Sequence, residues 1–233
     1  MSTDPKTFSI SIIIPACNEA ENIARHLPGL FAGPDIEVLV VDGNSSDGTA
    51  AVAEALGARV LRADPDRASQ MNVGAGAARG DILLFLHADT ALAPGFASQV
   101  RAALGEPGVA AGAFRFAIAG SGWGLRLIEK GVNIRARFLQ MPYGDQALFV
   151  RSDLFASLGG FPPLPVMEDF EMVRRLKQRG RITILSLAAT TSARRWQKLG
   201  TLRTTLINQA MVFGYLLGVN PRKLAEWYRV KRG

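Results

Sequence analysis

The run Ile82-Leu-Leu-Phe-Leu86, stopped at once by His87-Ala-Asp89, constrains this chain more than any other stretch. Five apolar residues without alternation suit a strand buried on both faces, as in the middle of a parallel sheet. The polar stop then marks the carboxyl end of that strand, where open α/β sheets place their ligands. Two earlier runs have the same shape. Ser9–Ile14 is stopped by Pro15 ahead of Cys17-Asn18-Glu19, and Ile36–Val41 ends in Asp42 before Gly43-Asn-Ser-Ser-Asp47. If the three strands are parallel, their polar ends share one edge and converge on one cleft.

Helical spacing fills the gaps between these runs. Asn18 with Glu21 has the form of a capping box, followed by Ile23, Leu27 and Leu30 at helical intervals. A helix follows Gly48-Thr49, a short strand spans Arg59–Leu61, and Ala68–Ala78 is a helix of small residues. Three strand–helix–strand steps in succession specify a parallel sheet covered by helices. Pro94 opens a helix carrying Phe96, Val100 and Leu104. At Val109–Ile118 the period drops to two, which predicts a half-exposed, antiparallel strand. Beyond it the pattern predicts a helix at Trp123–Leu139, a strand at Gln146–Val150, and a helix capped by Ser152 and ending near Leu158. A helix at Asp169–Gln178, a strand at Ile182–Leu187, and helices at Leu199–Leu217 and Arg222–Val230 complete the chain. The expectation is one α/β domain with a helical extension at its C-terminus.

The formal charge of +7 is unevenly spread. Residues 1–173 hold 13 Lys/Arg against 19 Asp/Glu, whereas residues 174–233 hold 14 against Glu226 alone. So basic a tail suits an anionic lipid surface, a diphosphate or a nucleic acid. No helix-turn-helix, RNA-binding or zinc-finger pattern accompanies it, so nucleic acid is set aside. A single cysteine, Cys17, excludes an intramolecular disulfide and fits a reducing compartment. The polar start, Met1–Thr7, has no signal-peptide core, and no apolar stretch reaches the ~18 residues of a membrane span. A cytoplasmic protein is expected, visiting the inner face of the membrane through its tail.

Each polar cluster has two readings when taken alone. Asp89 can hold a hard divalent cation against a phosphate, or cap the helix at Pro94. Asp42 can accept from a base or ribose, or stabilise its own turn. Asp169 can take a proton from a hydroxyl, or cap its helix, whose dipole favours the negative charge. Gly74-Ala-Gly76-Ala-Ala-Arg-Gly80 has the glycines of a dinucleotide loop but lies inside a helix, so close packing is the better reading. Cys17 reads as a buried thiol, and Trp196, beside two arginines, is the best candidate for stacking on a sugar.

Taken in order, Ile12-Ile-Ile-Pro-Ala-Cys-Asn-Glu-Ala-Glu-Asn22, Val40-Val-Asp-Gly-Asn-Ser-Ser-Asp-Gly-Thr49 and Phe85-Leu-His-Ala-Asp-Thr90 resemble the family 2 glycosyltransferases. Gly144-Asp-Gln-Ala147, Gly159-Gly-Phe161 and Met167-Glu-Asp-Phe-Glu171 continue the likeness, which is nearest to small bacterial members associated with radical-SAM and selenodomain proteins. The resemblance implies a GT-A fold: a nucleotide-binding half over residues 1–105, an acceptor half over 106–196, and basic helices over 197–233. It implies inverting transfer from a nucleotide-sugar donor, a UDP-sugar above all, to a hydroxyl acceptor, with Mn or Mg as cofactor. Carried over by residue, Pro15, Asn18, Glu19, Asp42, Arg67, Gln70, Asn72, His87 and Ala88 would line the nucleotide pocket. Asp89 would hold the metal, Asp169 with Glu168 beside it would be catalytic, and Arg194 or Arg195 would meet the diphosphate. Two positions depart from the family. His87 stands where many members have the first acid of Asp-x-Asp, which weakens metal binding without nucleotide. Ser192-Ala-Arg-Arg-Trp196 lacks the glutamine of the processive synthases.

Two other classes stay open on sequence alone. A sugar-1-phosphate nucleotidylyltransferase would need a glycine-rich loop with arginine after the first strand, where Pro15-Ala-Cys-Asn-Glu19 stands instead. A non-catalytic membrane-surface protein on the same scaffold would suit the basic tail but not the retained Asp89 and Asp169. A homo-oligomer fits any of the three.

Overall fold

The computed structural model describes residues 8–232; of residues 195, 198, 199, 201, 202 and 229–232 only the backbone is described. The first run forms β1 (Ile10–Ala16), followed by α1 (Ala20–His26). Next come β2 (Ile36–Asp42), α2 (Thr49–Ala55), β3 (Arg59–Arg62), α3 (Arg67–Ala77) and β4 (Ile82–Phe85). β1, β2, β3 and β4 are mutually parallel, and the register sets Ala16 opposite Asp42 and Ile13 opposite Phe85. Their carboxyl ends therefore share one edge, as the polar stops require.

The unbroken apolar runs are explained by two cores. Ile10, Ile12, Ile14, Val38, Val40, Ile82 and Leu84 face one way, under α1 and the helix α4 (Phe96–Gly105). Ile13, Leu39, Val41, Leu83 and Phe85 face the other, under α3 and two later helices, α6 (Ser152–Ser157) and α7 (Glu168–Lys177). Alternate residues of each strand thus meet different helices, and neither face can be polar. Gly74 in α3 lies so close to Ile13 and Val41 that a Cβ there would collide with both. The glycines of α3 are packing residues, as their place inside a helix implied.

Four more strands extend the sheet to the order β3-β2-β1-β4-β7-β6-β8-β5. They are β5 (Thr90–Leu92), β6 (Val109–Ile118), β7 (Phe149–Arg151) and β8 (Arg181–Thr191). β7 runs antiparallel to both β4 and β6, β8 runs parallel to β6, and β5 closes the far edge antiparallel to β8. Only residues 86–89 separate β4 from β5, although β5 lies four places along the order. In a flat sheet those four places measure about 19 Å. Five extended residues reach at most about 18 Å, so the sheet curls to bring its edge back to the end of β4.

Two expectations, for β6 and for Ser152, need correction. β6 is buried on both faces except at Arg115 and is not half-exposed, because α5 (Trp123–Leu139) covers its outer side. The α5 side chain Asn133 pairs with both backbone groups of Phe116, and Glu129 accepts from the N–H of Ile118 at 2.6 Å. The expected helix Leu199–Leu217 is α9 (Thr201–Leu216), preceded by a short helix the sequence did not suggest, α8 (Arg194–Leu199), and divided from it at Gly200, whose φ of +79° favours glycine. Ser152 does not cap a helix but is the first residue of α6, after Arg151. The last helix, α10 (Pro221–Arg232), buries Leu224 and Ala225 and packs on α9 at Gly214. No helix among the described residues is long and apolar enough to cross a membrane.

Candidate active site

Two turns at the carboxyl edge are tied together. Asn18 does not cap α1; it sits at φ +54°, and its Oδ1 accepts from the N–H of Ser46 at 2.9 Å. The N–H of Asn18 donates to Ser45 Oγ, that of Glu19 to Thr49 Oγ1, and that of Ala20 to Asp47. Asp47 also accepts from the hydroxyl and N–H of Thr49, and these bonds hold its carboxyl below the usual range. Asp42 is buried at the end of β2. One oxygen accepts from the N–H of Ser45 at 3.2 Å, while the other has no partner among the described residues. A buried acceptor without a donor is uncommon in a folded interior and suits a ligand N–H or O–H.

A second set of groups converges from distant parts of the chain. Phe85 donates its N–H to Leu148, which seats the short 3-10 turn Gly144–Gln146 beside His87. The Asp169 carboxylate, at the start of α7, accepts from the N–H of Gly144 at 2.6 Å and from that of Phe170 at 2.7 Å. Space here is tight: a Cβ on Gly144 would lie 2.9 Å from Asp169 Oδ2 and 3.3 Å from His87 Nε2. Pro15, Arg67, His87, Tyr143, Gly144 and Asp169 line this cleft together. Beside Asp169, Glu168 is buried and pairs with Arg67 at 3.5 Å. Burial, with the Asp169 charge adding to it, pushes the Glu168 carboxyl up to about 7 against the pull of Arg67.

Asp89 belongs to a third cluster. The Arg194 guanidinium lies 3.2 Å from Glu19 and 3.6 Å from Asp89, while Thr191 Oγ1 donates to the other Asp89 oxygen at 3.4 Å. Among the described residues no group of three His, Cys, Asp or Glu side chains could hold a metal by itself. The donor chemistry at Asp89 nevertheless suits a hard cation that arrives on diphosphate oxygens and keeps water in its remaining positions.

Other residues expected at the pocket are engaged by the fold. Gln70 is buried, its amide donating to the carbonyls of Ala16 at 2.9 Å and Val41 at 2.7 Å, which ties the ends of β1 and β2. Asn72 pairs with both backbone groups of Phe161 and so anchors the Gly159-Gly160-Phe161 loop against α3. Ala88 is buried in the core. The Arg195 side chain lies outside the described residues. Trp196 is buried against Phe116, with ring centroids 6.0 Å apart, and is not available for stacking. Cys17 is exposed, and its thiol donates to the carbonyl of Gly43 at 3.4 Å.

Sequence reading assigned no role to Gly144 or Tyr143, yet both border Asp169, and the Arg135 guanidinium lies 3.5 Å over the Tyr143 ring. One signal is visible only in the backbone. The non-glycine residues at positive φ among those described are Asn18, Asn44, Gln140, Ala147 and Met167. All five sit in the turns that carry or flank the site, where strained backbone tends to collect.

The glycosyl transferase family 2 model matches residues 11–158. An uncharacterised protein of Mycobacterium tuberculosis (strain CDC 1551 / Oshkosh) is 33% identical over 116 residues, covering 47% of this chain and 36% of that protein. A 4,4'-diaponeurosporenoate glycosyltransferase of Staphylococcus haemolyticus is 35% identical over 95 residues, covering 37% of this chain and 25% of the relative. The matches thus span about a third or less of the length of these curated relatives. S. aureus TarS in complex with UDP superposes with a TM-score of 0.62 at 20% identity, over 84% of this chain and 63% of that one. Mannosyltransferase PcManGT from Pyrobaculum calidifontis, in complex with GDP-Man and Mn2+, gives 0.61 at 18% over 99% and 71%. Glucosyl-3-phosphoglycerate synthase from Mycobacterium tuberculosis, with Mn2+, UDP-glucose and phosphoglyceric acid, gives 0.62 at 20% over 87% and 79%. At such identities the likeness shows the fold, the curled α/β sheet of GT-A glycosyltransferases.

Proposed function

The chain belongs to glycosyl transferase family 2, and we propose that it moves a sugar from a nucleoside-diphosphate donor, preferably a UDP-sugar, to a hydroxyl acceptor with inversion. The observation that carries this reading is the Asp169 carboxylate, held at 2.6 Å by the Gly144 N–H in the cleft that Pro15, Arg67 and His87 also line. A sugar hydroxyl is a poor nucleophile until a carboxylate within hydrogen-bond reach takes its proton. Asp169 takes that proton as the acceptor oxygen bonds to the anomeric carbon. The bond from that carbon to the diphosphate breaks on the opposite face. The unpartnered oxygen of Asp42 takes a base or ribose donor, and the Asn18–Ser46 tie shapes the wall beside it.

The departing diphosphate gathers negative charge, and Arg194 is the described cation nearest to Asp89 that can meet it. To do so it exchanges its ion pairs with Glu19 and Asp89 for phosphate oxygens. Asp89 would hold a divalent cation, Mn or Mg, which when bound neutralises the diphosphate. UDP is favoured because TarS and the mycobacterial synthase are both seen with uridine nucleotides. A donor screen following nucleoside diphosphate release, with and without manganese, tests the reading. UDP release from at least one UDP-sugar, with manganese-dependent donor binding weakened about tenfold in Asp89→Asn, is the expected result. Failure to bind or turn over any nucleotide sugar would overturn it.

A further inference from the structure

The outer surface of α5 is not explained by the fold. Its inner face is fully used: Glu129 and Asn133 bond to the backbone of β6, and Ala136 is buried. On the opposite face Trp123, Leu127, Ile134 and Phe138 follow at intervals of four, seven and four, which places them in one stripe along about 22 Å of helix. All four are exposed, Trp123 at 84% and Phe138 at 75%. Lys130 and Arg137 border the stripe and are exposed too. The only acid in α5 is Glu129, buried on the inner face. The neighbouring α9, which touches α5, contains no acid and exposes Leu206, Phe213 and Leu216. An exposed apolar stripe flanked by cations, with Trp and Phe at its ends and no acid on it, is the pattern of a helix that lies in a lipid interface.

We propose that the outer face of α5, with the exposed apolar residues of α9, docks on an anionic lipid surface and presents the cleft to an acceptor hydroxyl carried on a lipid. Charge argues for lipid over a second copy of this chain. An antiparallel two-fold contact would face the basic border of Lys130 and Arg137 with itself, whereas anionic headgroups neutralise it. Position supports the acceptor half. The C-terminal end of α5 leads through Gln140, whose side chain accepts from the Ile182 N–H at 3.0 Å, to Tyr143 under Arg135, and the next residue is Gly144. A lipid plane against α5 therefore lies beside the segment that holds Asp169. The docking stands on the surface alone; the lipid-borne acceptor also rests on the transferase reading.

The test uses the full chain with vesicles of phosphatidylcholine alone or mixed with phosphatidylglycerol, compared with the triple variant Trp123→Ser, Leu127→Ser, Phe138→Ser. These side chains are exposed, so the melting temperature should not move. The expected result is cosedimentation with the mixed vesicles only, weakened at least about tenfold in the variant. UDP release in free solution should be the same in both proteins. Wild type left in the supernatant with mixed vesicles at low salt overturns the proposal. So does equal binding by the variant, which would move the contact to other residues such as the basic tail, and so does a wild-type dimer that becomes a monomer in the variant. If docking holds but no donor is turned over, the transferase reading fails and the docking stands.

Discussion

The two walls of the cleft are built in different ways. The proposed donor wall is made of neighbouring parallel strands, and its polar groups follow directly from the chain stops after β1, β2 and β4. Its hydrogen bonds join residues about 27 to 30 positions apart, one strand–helix unit, as between Asn18 and Ser46 or Glu19 and Thr49. The proposed acceptor wall joins Gly144 before β7 to Asp169 at the start of α7, and it faces His87 at the end of β4. Its central bond, Gly144 to Asp169, depends on the antiparallel insertion of β7 beside β4. The donor wall is shaped by backbone and small polar side chains, the acceptor wall by one carboxylate in a confined space. Damage to the first should cost binding, and damage to the second should cost turnover.

Asp169→Asn is the most severe break. It keeps the shape of the carboxylate but not its basicity, so turnover should fall about 10²–10⁴-fold while donor affinity, read by calorimetry, stays near wild type. Turnover within a few-fold of wild type would remove Asp169 from the reaction. Gly144→Ala sharpens the comparison without touching a charged group. Its Cβ would lie 2.9 Å from Asp169 Oδ2 and must displace it. A drop in turnover of about tenfold with unchanged donor affinity is expected, and a loss of donor affinity instead would show that the walls are not separable.

The smallest expected effect concerns pH. The Glu168 carboxyl titrates at about 7 in the folded protein, above its ordinary 4.5. Between those values the folded protein keeps this proton while the unfolded chain has released it. This contribution to stability therefore falls as pH rises through the window and is level above it. Glu168→Gln should flatten that slope in melting temperatures measured from pH 4.5 to 7. An unchanged slope would mean that Glu168 is not the group responsible.

Much of the donor wall was legible because a parallel sheet translates apolar runs into strands whose polar stops align. The reading of Gly74 as packing and of Trp123–Leu139 as helix needed only spacing. Gln70, Asn72 and Trp196 show where that reasoning ends. Each is a polar or aromatic residue near the site in sequence, and each is spent on structure: strand carbonyls, the Phe161 backbone, and the Phe116 ring. Residue type alone does not reveal whether an amide faces a ligand or a carbonyl.

By itself the sequence determined that β1 to β4 run parallel, the edge where Asp42 and Asp89 emerge, and the charge division between body and tail. These follow from local periodicity and from the rule that unalternating strands are buried on both faces. Only the tertiary structure decided that Gly144 holds Asp169, that Arg194 spans Glu19 and Asp89, and that α5 covers β6 while leaving Trp123 and Phe138 exposed. Arg194 and Glu19 are far apart in the chain, while Gly144 and Asp169 are 25 residues apart; in each case the contact depends on how the sheet curls and which helix reaches which strand, which local periodicity does not carry.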